Sequence, residues 1–431
     1  MNIIMLTNTY LPHVGGVARS VASFTEALRE RGHRVLVVAP RFEGEAPPDP
    51  DVVRLPAIQN FNGSDFSVRL AIPGYLHTTL DQFKPELVHS HHPFLLGDTA
   101  LRIAARRNLP MVFTHHTMYE KYTHYMPANS PVMQQFAIRM ATEYANLCDH
   151  VIAPSESIKT ILAQRGVTVP ITAIPTGIDP EKLANGNGAN ARQAQRIPDD
   201  AFVIGHVGRL AYEKNLPLLA RAISDVLNTH ENAQALLVGS GAAEQDIRSI
   251  FEDNAVLDRV HMTGKLQGSA LADAYHAMDV FAFASQTETQ GMVLAEAMTV
   301  GVPVVAVDAP GAREVVENGV NGRLLEREDQ SAFAAALREM ADMDTKHRQQ
   351  YGNAARRTAE MFTLERCTDR LIGLYEQLTM KNAEARKQEE NAWTRTLETL
   401  ENEWNIWSGR AEAAADALRA SLSEQPLSES K

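Results

Sequence analysis

Ala201-Phe202-Val203-Ile204-Gly205-His206-Val207-Gly208-Arg209-Leu210-Ala211-Tyr212-Glu213-Lys214-Asn215 is the stretch that decides how this chain of 431 residues folds. The apolar run Phe202–Val207 predicts a buried strand, a turn carrying two cations follows, and the amphipathic stretch Leu216–Asn228 predicts a helix. The same succession opens the chain: a strand at Asn2–Leu6, a turn at Pro12–Val17 and a helix at Gly16–Arg31. A pattern that starts over near residue 200 points to two doubly wound α/β domains in series, with a cleft between them.

Working outward, further strands are expected at Val35–Ala39, Leu87–Ser90, Met111–Thr114 and His150–Ala153, then at Ala235–Val238, Val260–Thr263, Val280–Ala284 and Val304–Val307. Helices are expected at Ile72–Gln82, Gly97–Arg107 and Met133–Leu147, then at Ala242–Asn254, Ala270–Met278 and Gly291–Thr299. The Gly/Asn-rich segment Asn185–Asn190 reads as a loop near the junction. The domains are placed at 1–180 and 181–362, followed by a crossover helix at 363–380 and an amphipathic helical extension at 381–431 with a disordered tail. On that extension Trp393, Leu397, Leu400, Trp404, Trp407, Ala411, Ala414 and Leu418 recur at spacings of four and three. Such a seam packs on its own chain, pairs two copies into a homodimer, or lies on a membrane surface. Seven basic and ten acidic residues in the extension weigh against an anionic membrane.

With 44% hydrophobic and 22% charged residues the composition is that of a globular protein. Lys+Arg 41 against Asp+Glu 53 gives a formal net charge of −12, a poor match to nucleic acid. The deficit is uneven: residues 1–150 hold 13 basic and 13 acidic side chains and ten of the fifteen histidines. Cys148 and Cys367 stand far apart without a CxxC, which excludes a disulfide framework and suits an intracellular protein. No apolar run reaches the 18 or so residues needed to span a bilayer. The segment Met1–Thr7 lacks a basic leader and reads as a first strand, so any membrane contact is expected to be peripheral.

Four constellations could carry chemistry. Gly15-Gly16 sits where the first strand gives way to a helix, and paired glycines there admit an anion to the helix amides or merely make the turn. Arg209 and Lys214, five apart in a loop after a strand, converge on a diphosphate or stand as two surface cations. Glu288-Thr289-Gln290-Gly291-Met292-Val293-Leu294-Ala295-Glu296 places two carboxylates around a helix start whose first amides, at Gly291, Met292 and Val293, lie beside Glu288. His89-Ser90-His91-His92 and Thr114-His115-His116 both follow strands, and imidazoles lining a polar pocket are a better reading than a metal site, for which the spacing is wrong. Phe61, Phe66, Ile72, Tyr75 and Leu76 form either core or an apolar mouth for a substrate, core being the commoner fate.

Taken in order, Gly-Gly-Val near the N-terminus, Pro175-Thr176-Gly177-Ile178-Asp179, Gly208-Arg209 with Glu213-Lys214, Val238-Gly239-Ser240-Gly241 and the two glutamates of 288–296 resemble the family-4 retaining glycosyltransferases. That resemblance spans about residues 1–380 and implies the GT-B fold, two Rossmann-like domains facing across a cleft. A narrower likeness, in Thr114–Pro127 and His89–Gly97, is to bacterial 1,2-diacylglycerol 3-glucosyltransferases, although His92 stands where a threonine is more usual. The resemblance implies that Arg209 and Lys214 hold the donor diphosphate, with Gly15, Gly16, Gly208 and Gly239 lining the donor site. It implies further that Glu288 and the amides of Gly291, Met292 and Val293 bind the sugar, that Glu296 holds the ribose, and that His116 contacts the sugar near the reaction centre. His91, His92, Tyr119, Tyr122 and His124 are candidates for the acceptor side. The implied reaction moves glucose from UDP-glucose to diacylglycerol, without a metal or other cofactor, at the cytoplasmic face of the cell membrane. Other donors (UDP-glucuronate, UDP-galactose, GDP-mannose), other acceptors such as a polyprenyl-linked sugar or a polyol, and a non-catalytic sugar-binding module are the alternatives.

Overall fold

The computed structural model describes residues 1–13, 15–42, 48–58, 68–69, 75–120 and 131–388. Phe61, Phe66, Ile72, Tyr122, His124 and the seam from Trp393 to Leu418 fall outside them, as does the side chain of Tyr75. The chain forms two compact units, one made of Met1–Thr176 with the chain from Cys367 onward, the other of Gly177–Arg366.

The first unit is built on a seven-stranded sheet of β1 (Asn2–Leu6), β2 (Arg34–Pro40), β3 (Val52–Leu55), β6 (Leu87–Ser90), β7 (Met111–Thr114), β8 (His150–Ala153) and β9 (Ile171–Ala173); Ala57–Ile58 (β4) and Val68–Arg69 (β5) pair separately. The order is β3-β2-β1-β6-β7-β8-β9, with every neighbour parallel. Parallel strands joined by helical crossovers are covered on both faces, which is why Ile3-Ile4-Met5-Leu6 reads as an unbroken apolar run and is wholly buried. Leu76, one of the residues offered above as core or mouth, packs against this core.

The second unit repeats the plan with β10 (Phe202–Val207), β11 (Ala233–Val238), β12 (Val260–Gly264), β13 (Val280–Phe283), β14 (Val304–Val307) and β15 (Gly322–Leu325). Its order, β12-β11-β10-β13-β14-β15, is the Rossmann order, again all parallel. In each unit the direction of strand succession reverses once, between β1 and β6 and between β10 and β13. Ligands of open α/β sheets bind outside the carboxyl ends of the strands at that reversal.

Five strands are missing from the sequence reading: the separate pair β4 and β5, and β3, β9 and β15, which are edges of the two large sheets and only partly buried. The Asn185–Asn190 segment is a correction: it is a loop only as far as Asn187, whose Oδ1 accepts the Ala189 amide at 3.1 Å and caps a helix over Gly188–Gln195. The boundary placed at 180 falls at 176, and the helix placed at 363–380 runs Leu364–Gln388, into the stretch assigned to a separate extension. From Cys367 that helix belongs to the first unit. It buries Cys367, Leu371, Leu374, Tyr375 and Leu378, one stripe at helical spacing, and each leucine so covered contributes about 2 kcal/mol. Polar ties flank the stripe: Arg31 to Asp369 at 3.2 Å, and Arg370 to the carbonyl of Ala173 on the edge strand β9.

Candidate active site

In the second unit the loops that leave β10 and β13 lie side by side because those strands are neighbours, Gly205 opposite Phe281. The first carries Arg209 and Lys214 and the second Glu288. Lys214 Nζ donates to Glu288 Oε2 at 2.8 Å, both side chains about one-fifth exposed or less, and the ammonium lies 6.0 Å from the centre of the Phe283 ring. Burial alone would raise the Glu288 carboxyl, but the Lys214 charge and the amides of Gly291 and Thr289 outweigh it and hold the group below the ordinary range. Arg209 donates to Glu213 Oε1; the arginine is half exposed and the glutamate buried. The Glu213 carbonyl in turn accepts the Thr287 hydroxyl at 3.2 Å, tying one loop to the other. Lys214 and Glu288 are thus brought together, and Arg209 pairs with Glu213 in the same loop as Lys214.

Backbone close approach sets this geometry. Gly239 has φ +141, and a Cβ there would lie 1.8 Å from the Gly208 carbonyl, so the turns after β10 and β11 nest only with glycine at 239. Gly291 (φ +77) precedes the helix Met292–Thr299, which has no side-chain cap. The Gly291 amide is directed to the Glu288 carboxylate. Gly311 donates its amide to the Glu288 carbonyl at 3.0 Å, and a Cβ on it would sit 2.9 Å from Glu288 Cγ. Glu296, on the second turn, accepts the phenol of the fully buried Tyr275 at 2.6 Å. Glu213, Tyr275 and Gly311 were not singled out from sequence. Glu213 was visible inside the Gly208–Asn215 motif, but Tyr275 and Gly311 approach through the tertiary fold and leave no local signal.

In the first unit the histidines gather at the carboxyl ends of β6 and β7. His89 holds Tyr375 Oη (2.6 Å) through Nδ1 and Thr114 Oγ1 (2.7 Å) through Nε2. His91 Nδ1 lies 2.9 Å from Nε2 of the half-buried His116, with the rings stacked. The Asn8 backbone amide donates to His92 Nδ1 at 3.1 Å, so His92 ties the β1 loop to the β6 loop through that nitrogen. Burial lowers all five imidazoles: His89 and His92 to about 3, His115 to about 4, and His91 and His116 well below the ordinary value. They are neutral at pH 7. Tyr119 packs edge-on against Phe94 and His115. Gly15 precedes the helix Gly16–Glu30 in extended conformation, and a Cβ on Gly16 would have nothing within 4 Å.

Buried polar atoms are nearly always paired. Of the nine without a partner among the described residues, Thr9 Oγ1, His91 Nε2, His115 Nδ1 and Tyr119 Oη follow β1, β6 and β7, while His206 Nε2 and Asn215 Nδ2 flank the β10 loop. Six of the nine thus lie at or just beyond the carboxyl ends of β1, β6, β7 and β10, the end of the sheet where such folds bind ligands. No three His, Cys, Asp or Glu side chains among the described residues are grouped to hold a metal ion, and no described helix is long and apolar enough to cross a membrane.

Two Rossmann-like units, each with its polar groups at the strand-order reversal, define the GT-B class of glycosyltransferase fold. The chain belongs to glycosyltransferase family 4: the model described as Glycosyltransferase Family 4 matches residues 14–182, and that described as Glycosyl transferases group 1 matches residues 188–358. It is 32% identical over 381 residues to a GDP-mannose-dependent alpha-mannosyltransferase of Mycolicibacterium smegmatis, covering 87% of this chain and 97% of that one. It is 28% identical over 359 residues to the alpha-monoglucosyldiacylglycerol synthase of Streptococcus pneumoniae, 80% of each chain. Among solved structures, HepE of Anabaena in complex with UDP and glucose superposes with a TM-score of 0.68 at 22% identity, over 88% of this chain and all of that one.

Proposed function

We propose that this glycosyltransferase moves a hexose, glucose from UDP-glucose, onto 1,2-diacylglycerol with retention of configuration, giving an α-monoglycosyldiacylglycerol. The observation that carries the donor assignment is the Lys214–Glu288 pair at the β10/β13 reversal, with Arg209 in the same loop. In such a transfer positive charge grows on the sugar and negative charge on the departing diphosphate. Lys214 and Arg209 are assigned to the diphosphate, where fixed cations favour the transition state over the ground state. Glu288 is assigned to sugar hydroxyls, Glu296 to the ribose, and His116 to a sugar hydroxyl. Gly16 suits the phosphate end of the donor, since nothing within its own unit calls for a glycine there. With two cations at the diphosphate the reaction is proposed to need no metal, which equal turnover with and without a chelator would support.

The similarity to a monoglucosyldiacylglycerol synthase supports the acceptor, and membrane contact is then peripheral. The test is label transfer from UDP-glucose into the lipid phase of diacylglycerol mixed micelles, with a no-acceptor control. Free labelled sugar alone would remove diacylglycerol; no turnover of the donor would remove UDP-glucose. The second reading, GDP-mannose as donor with a different acceptor, is favoured by the 32% identity to a mannosyltransferase, and the same assay run with that donor separates the two. Truncation after Gln388, scored for turnover, self-association and liposome binding, tests whether the stretch beyond it pairs copies or meets lipid.

A further inference from the structure

His91 and His116 stand at the ends of adjacent strands, and their facing nitrogens, Nδ1 and Nε2, are 2.9 Å apart. Both rings are neutral, so one nitrogen of the pair donates and the other accepts. Which does which follows from the far side of His91: its Nε2 is buried and has no hydrogen-bond partner among the described residues. If Nδ1 accepted, the His91 proton would sit on Nε2 as a buried N–H with no acceptor among the described residues. If Nδ1 donates, what is left at Nε2 is an unused lone pair. Buried N–H groups without acceptors are rarer than under-used acceptors, so the proton belongs on Nδ1.

We propose that His91 is a positioning residue: by donating from Nδ1 to His116 Nε2 it fixes the tautomer of His116, which carries its own proton on Nδ1. The functional weight of this rests on the reading of His116 as a sugar contact. With Nε2 already accepting, His116 does not act as a base through Nε2. The arrangement is rigid. The His89 ring lies 4.1 Å from that of His91, and His89 is itself held at both nitrogens, by Tyr375 and by Thr114. His91, an acceptor-side candidate by sequence, thereby works through its neighbour.

The experiment is a long-range proton–nitrogen correlation spectrum of the full chain labelled with 15N-histidine at pH 7, the His116 signals identified by their loss in His116→Asn. The expected pattern is a neutral ring protonated at Nδ1; protonation at Nε2 overturns the proposal, and this wild-type spectrum decides even if no His91 variant folds. His91→Leu removes the donor, and the His116 pattern is expected to change to Nε2–H or to a mixture. An unchanged pattern in a folded His91→Leu protein also overturns the proposal. His91→Asn places an amide N–H close to the position of Nδ1 and is expected to restore the wild-type pattern. In label transfer from UDP-glucose, kcat is expected to fall about tenfold in His91→Leu and to recover in His91→Asn. A tautomer that moves without any change in kcat supports the role of His91 and removes the sugar-contact reading of His116 instead.

Discussion

Lys214 and Glu288 neutralise each other across 2.8 Å, so a diphosphate that recruits the lysine must compete with a carboxylate already in place. Lys214→Ala is expected to lower kcat by roughly 10²–10³, the scale for removing one transition-state donor from a dry site. It should also lower thermal stability, because the Glu288 carboxylate then stays largely buried without its cation; a melt recorded beside the kinetics separates the two effects. Gly239→Ala sets a methyl against the Gly208 carbonyl at a φ that side chains avoid, and is expected to cost on the order of 3 kcal/mol. A lowered urea midpoint with unchanged slope would show it. At this scale the sequence was most informative where the candidate residues sit in short contiguous motifs. Arg209, Lys214, Glu288 and Glu296 stand in motifs local enough to be read, whereas Tyr275 reaches Glu296 from another helix and could not be.

Among elements, the central strands were legible because both faces of a parallel sheet are covered, leaving runs such as Val304–Val307 with no polar break. The edges β3, β9 and β15 were not, because half-exposed strands tolerate residues such as Arg54, Thr172 and Arg323 and lose the apolar run. The helix Gly268–Ala277 was placed within two residues, yet its sequence does not announce that it delivers Tyr275 to Glu296. Removing that hydroxyl costs one hydrogen bond to a charged group. Tyr275→Phe is therefore expected to raise the donor KM about tenfold with little change in kcat. Steady-state kinetics at saturating acceptor would check this, and a fall in kcat alone would contradict it.

For the whole molecule, the two units differ in what acid does to them. Buried imidazoles with folded pKa values near 3 to 4, against about 6.5 when unfolded, take up protons mainly on unfolding. The stability they permit is complete above about pH 6.5 and is lost as the pH falls through that value toward the folded ones, by up to about 1.4 kcal/mol per imidazole per pH unit. His89, His91, His92, His115 and His116 are in the first unit; the second has His206, lowered to about 4. Calorimetry at pH 7.5 and pH 5 is expected to show the first unit melting earlier in acid, and a common downward shift of both units would contradict this. The path of the last helix reaches beyond equilibrium. Because Cys367 onward completes the unit that began at Met1, the second unit is an insertion within the first. A ribosome adding about 5–20 residues per second needs on the order of ten to forty seconds to make that insertion. For that interval the nascent first unit waits without Tyr375, its His89 imidazole and the β9 edge uncovered, the kind of exposed strand edge that invites misassembly during synthesis.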